Sequence, residues 1–107
     1  MMTPQARGTY EKRRGVLVDT YQATRDTTPA NTATELRKKL GSWADEIVAA
    51  MILVHGDWDE RISRESRDWA RHNCPYMKTE LLEARLFYCD AIHPAHMEQL
   101  ARALWEM

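Results

Sequence analysis

The sequence predicts an all-α protein, a bundle of four to six helices. Three observations carry that expectation. Apolar residues recur at three- and four-residue spacing through most of the chain. Residues that cap helices punctuate those stripes at about a helix's length. One stretch, WADEIVAAMILVH, is the most apolar in the chain, with one wide apolar face that Val48 and Ile52 broaden, and reads as the central core helix. The segment at residues 76–92 also has room for a short strand pair, because LFYCDAI reads equally well as helix or strand.

Residues 1–9 read as a flexible N-terminal tail, with Pro4 and Gly8 and almost no large apolar side chains. Residues 10–107 then form a single helical domain, as expected for 107 residues. Tyr10, Arg14, Leu17 and Tyr21 share one face of a first helix, which Gly15 weakens. The polar run TRDTTPANT ends it. Thr28 before Pro29 is an N-cap and first-turn pair, and Thr32 with Glu35 is a second candidate capping box. Ala33, Leu36 and Leu40 form the next buried stripe, and Gly41 suits its C-terminus. Ser42 is placed to cap the central helix, where Asp45 and Glu46 favour the dipole and Trp43, Ile47, Met51 and Val54 share a face. Gly56 closes it. Ser63 caps RESRDWARHN, which Asn73, Cys74 and Pro75 stop. Thr79 opens ELLEARLFYCDAI, and His93 precedes a last helix with Met97, Leu100, Ala101, Leu104 and Trp105 as its stripe. The expected core is Leu36, Leu40, Trp43, Ile47, Met51, Ile52, Ile62, Trp69, Leu82, Leu100 and Leu104.

The formal charge of −1 argues against non-specific nucleic-acid binding by the whole surface. Its distribution is uneven: residues 1–25 carry five basic and two acidic groups, whereas residues 26–60 carry three basic and seven acidic. Cys74 and Cys89 are far apart without a CxxC pair, so reduced thiols in a cytoplasmic protein are expected. No run is apolar enough for a membrane span, and MMTPQARGTYEKRR lacks the apolar centre of an export signal.

The densest chemistry lies in HGDWDERISRESRDWARH. Arg64, Arg67 and Arg71 fall on one side of a helix and could grip phosphates or an acidic partner. Glu65 and Asp68 interleave with them, as on an ordinary solvated face. Arg61 lies before the cap and is read as tying the turn to the helix. Asp57, Asp59 and Glu60 are three acids in four residues, but no second acidic cluster with a lysine follows to complete a metal nuclease. Turn and cap chemistry accounts for them more simply. Trp58, in the same turn, is either an exposed anchor for a partner or a lid folded onto the core. His72, Cys74, Cys89, His93 and His96 are zinc-ligand types without a zinc-finger spacing, and His93 is better read as a cap whose ring bonds backbone. Neither metal nor cofactor is expected. There is no nucleophile triad, P-loop or dinucleotide fingerprint.

At DWDERISRESRDWA the sequence resembles a family: a domain of unknown function carried on conjugative transposons and related mobile elements of gut bacteria. Its pattern is D-x-R-[FI]-S-R-x-x-[KR]-x-W-A, followed later by His-Pro-Ala. The matching residues are Gly41, Asp59, Arg61, Ile62, Ser63, Arg64, Arg67, Trp69, Ala70, His93, Pro94 and Ala95, within about residues 31–104. The segment between Trp69 and His93 is shorter than the family's usual one. The family has no established catalytic residues, so the resemblance implies a mobile-element setting rather than an activity. The resulting expectation is a non-enzymatic protein that binds and inhibits a host defence nuclease or its nucleic-acid complex, of the anti-CRISPR or antirestriction type. Asp57, Trp58, Asp59 and Glu60 form its first contact surface, and Arg64, Arg67 and Arg71 its second. The alternative is a DNA-binding accessory or regulator of element transfer.

Overall fold

The computed structural model describes residues 4–56, 61–74 and 92–107. Within them the chain is all-α, with five helices: α1 (Pro4–Thr24), α2 (Pro29–Leu40), α3 (Trp43–His55), α4 (Arg64–Asn73) and α5 (Pro94–Trp105). The expected turn at residues 57–60, and nearly all of the segment at 76–92, lie outside the described residues.

The central position expected of α3 holds. Ile47 through Ile52 are all buried, together with Ala44. A helix buried on that many sides must be packed by neighbours around its circumference. It meets α2, α4 and α5, while α1 lies on α2 and α2 also meets α5. Leu17 from α1, Ala33 and Leu36 from α2, Ile62 and Ala70 around α4, and Met97, Leu100, Ala101 and Leu104 from α5 complete the core. The α5 set recurs at i, i+3, i+4 and i+7, the stripe read from its sequence.

Several local expectations are corrected. Helix α1 begins at Pro4, so residues 4–9 are helical rather than part of a tail. Proline is tolerated in a first turn, and Gly8 only weakens a helix. Thr28 caps α2 as expected, its hydroxyl accepting from the Asn31 N–H at 3.3 Å. Thr32 is not a second cap. It is buried inside α2, and its hydroxyl pairs with that of Thr24 at 2.7 Å, tying α2 to the end of α1. Gly41 supplies the positive φ, +60°, that turns the chain between α2 and α3. With that turn so tight, Ser42 takes helical angles and its side chain makes no cap.

The tryptophans also sit differently. Trp43 and Trp69 are only half-buried, and Trp105 is 44% exposed. Leu104 and Ala101 already fill the inner side of the last turn of α5, which leaves the neighbouring indole at the edge. The guanidinium of Arg13 covers the Trp43 ring, 3.3 Å from its centroid. Arg37 ties three elements together, donating to Asp45 at 2.8 Å and to the Leu104 carbonyl at 2.9 Å. No helix among the described residues is long and apolar enough to cross a membrane.

Candidate functional site

The residues singled out by sequence converge on α4, and its N-terminus is built with unusual care. Ser63 is the N-cap expected of it, accepting from the Ser66 N–H at 3.2 Å. In a capping box the third helical residue is a Glu or Gln that reaches back to the N-cap N–H. Here that residue is Ser66, and the carboxylate comes from α5 instead. Glu98 Oε1 accepts from the Ser63 N–H at 3.3 Å and from the Ser66 hydroxyl at 3.1 Å. The Ser63 hydroxyl in turn donates to Ser66 at 3.0 Å, so every proton in the relay points toward the carboxylate. Arg102 lies 3.7 Å from the same oxygen and 3.6 Å from Glu65.

Partial burial of Glu98 pushes its pKa up. The bonds from Ser63 and Ser66 and the charge of Arg102 outweigh that and hold it below the ordinary carboxylate value. The carboxylate also sits where the α4 dipole favours an anion.

The three arginines do not form one uniform face. Arg64 is exposed, and no ion pair engages it among the described residues. Arg71 is exposed and paired with Asp68 at 2.9 Å. Arg67 is half-buried: its stem runs so close over Gly56 that a Cβ there would lie 2.9 Å from Arg67 Cδ. Its Nε is buried with no hydrogen-bond partner among the described residues. Arg67 therefore packs α4 on the end of α3, and Arg64 and Arg71 remain as the outward cations. Asp57, Trp58, Asp59 and Glu60 lie outside the described residues. Arg61 is exposed beside the α4 cap.

On the adjoining side of α4, Glu65, Asp68, Trp69, His72 and Asn73 face Trp105 across a shallow groove. Trp69 and Trp105 supply its large apolar lining, and the charged and amide groups its polar lining. Sequence reasoning placed both indoles in the core. The signal that could have moved Trp105 outward is its position beyond Leu104, at the edge of an already complete stripe.

His93 caps α5 as expected, its Nδ1 accepting from the Ala95 N–H at 3.2 Å. Its ring lies 5.7 Å from that of His96, whose own Nδ1 pairs with the Tyr21 hydroxyl. Both imidazoles thus have one nitrogen engaged by the protein. His72 is exposed on α4 in the groove facing Trp105, Cys74 is buried at the α4 C-cap, and Cys89 lies outside the described residues. No three His, Cys, Asp or Glu side chains gather as metal ligands among the described residues. Comparison with family models, characterised proteins and solved structures finds no match to this chain.

Proposed function

We propose that the protein is a non-enzymatic mobile-element product that acts in the cytoplasm by stoichiometric binding to a host defence nuclease or its nucleic-acid complex. Its effect is inhibition of the anti-CRISPR or antirestriction type. The observation that carries the reading is the α4–α5 groove, which exposed Trp105 and half-buried Trp69 line together with Glu65, Asp68 and His72. Protein interfaces concentrate their energy in such aromatic anchors surrounded by polar groups. Acids beside the indoles suit a basic nucleic-acid-binding channel, which they would approach with electrostatic steering. The exposed pairs Glu65–Arg102 and Asp68–Arg71 hold those acids only weakly, so a partner's cations can replace the internal ones. The resemblance read from Asp59 through Ala70 supplies the mobile-element setting.

Co-purification with a panel of CRISPR effector and restriction nucleases, with cleavage measured on each, tests the reading. A stable complex with suppressed cleavage is expected, and Trp105→Ala should weaken it by about tenfold or more, as for an interface anchor. No complex and unchanged cleavage across the panel would refute it. A second reading is favoured by Arg64, which is exposed and unengaged among the described residues: a DNA-binding accessory of element transfer that lays α4 against phosphates. It requires salt-sensitive retention of DNA that Arg64→Ala reduces. Absence of retention at low salt eliminates it.

A further inference from the structure

A second concavity lies away from the tryptophan groove, between the end of α1, the α1–α2 connection and α5. Tyr21, Arg25, Thr27, Thr32, His96 and Gln99 line it, above Leu100 and Pro29. No carboxylate is among its lining residues. We propose that this cleft binds a small phosphate monoester, a site separate from the partner-binding reading and independent of it.

The argument rests on the side chains that meet there. Arg25 is exposed and makes no ion pair among the described residues, whereas Arg37, Arg71 and Arg102 all do. An arginine in a carboxylate-free cleft offers a planar fork of donors that matches phosphate oxygens. His96 is held in place from across the fold, its Nδ1 engaged by the Tyr21 hydroxyl. In the tautomer in which Tyr21 donates to Nδ1, the ring proton sits on Nε2. Nε2 is then a donor, on an exposed ring that the tyrosine contact orients.

The surroundings agree in sign. The first turns of α2 and α5 both border the cleft, through Pro29, Thr32 and His96, and add their positive ends to the field. The opposing negative end of α1 is partly satisfied. The Thr20 carbonyl accepts from the Thr24 hydroxyl, and the Thr24 carbonyl accepts from Thr27. Leu100, Pro29 and the Tyr21 ring supply an apolar lining for the organic part of a monoester, which inorganic phosphate cannot use.

Titration of the isotopically labelled full chain, followed by NMR at the His96 ring and the Arg25 side chain, tests the site. The probes are inorganic phosphate and adenosine 5′-monophosphate, with sodium chloride at matched ionic strength as control. Saturable shifts at those two side chains are expected, with dissociation constants on the order of millimolar for phosphate and tighter for the monoester. Arg25→Gln and His96→Gln should each weaken binding by about tenfold, as loss of a charge-assisted bond does. Both positions are exposed, and an unchanged backbone spectrum would establish that the variants fold. Non-saturating shifts that chloride reproduces, or equal binding by both variants, would overturn the site. Phosphate binding with no gain for the monoester would overturn the assignment to an organic phosphate.

Discussion

Replacing Glu98 by alanine removes the acceptor that completes the α4 cap from another helix. The two bonds it accepts, at 3.3 and 3.1 Å, are both longer than the best charge-assisted contacts. Each therefore contributes less than a well-formed bond to a charged acceptor, about 1 kcal/mol, as an ordinary bond does. Arg102 is 46% exposed, so its pair with Glu98 adds only about 0.3 kcal/mol. Glu98→Ala should cost about 2 kcal/mol, which lowers Tm by roughly 8 °C in a domain of this size. Glu98→Gln keeps an acceptor oxygen but loses the charge, and should cost about half as much. The pH dependence has a definite sign. Because the folded pKa lies below the ordinary 4.5, the carboxylate's contribution is complete above that value and is lost as pH falls through the folded pKa. Urea denaturation of the wild type and both variants at pH 7 and pH 3 measures this. The gap between wild type and Glu98→Ala should be wide at neutral pH and narrow in acid. A gap under about 0.5 kcal/mol at pH 7, or one that does not change with pH, would show that the carboxylate does not hold α4.

Three further outcomes follow from local geometry. Gly56→Ala places a methyl group 2.9 Å from both Arg67 Cδ and the Ile52 carbonyl, and chemical denaturation should show a loss of about 1–2 kcal/mol. An unchanged midpoint would mean that α4 does not pack as closely on α3 as the Arg67 stem implies. Thr20 is 1% exposed and its hydroxyl has no partner among the described residues. Thr20→Val should therefore leave stability unchanged or raise it by about 1 kcal/mol, and a clear fall in Tm would reveal a missed bond. Thr28→Ala should cost about 1 kcal/mol because Thr28 caps α2, whereas Ser42→Ala should be near neutral because Ser42 caps nothing. Equal losses in thermal melts would contradict that distinction.

The helices, their caps at Thr28, Ser63 and His93, and the central role of α3 were legible in the sequence because they depend on local rules. A 3.6-residue period and an oxygen or ring nitrogen placed before a first turn act within a few residues of chain. The readings that failed were also local ones. Ser42 has the chemistry of a cap, but the turn set by Gly41 gives it helical angles. Thr32 has the spacing of a cap, but packing of α2 on α1 buries it.

The binding surfaces were less legible because they depend on elements distant in sequence. Arg64, Arg67 and Arg71 share a helix side by spacing alone. Only the approach of α4 to Gly56 turns Arg67 inward and leaves the other two exposed. Trp105 looks like core when the stripe is read along α5, and it is exposed because Leu104 and Ala101 have already filled the space beside α3. Glu98, 35 residues from Ser63, has no marker that pairs it with α4. Arg25 and His96 line one cleft only because α1 and α5 are both packed against α2. By itself the sequence determined where α2 to α5 lie and which face of each is mostly apolar, since both follow from short-range sterics and from the need to bury apolar surface. The tertiary structure alone decided which polar side chains meet, because packing direction and the space left between helices set that, and neither is encoded in the period of a single helix.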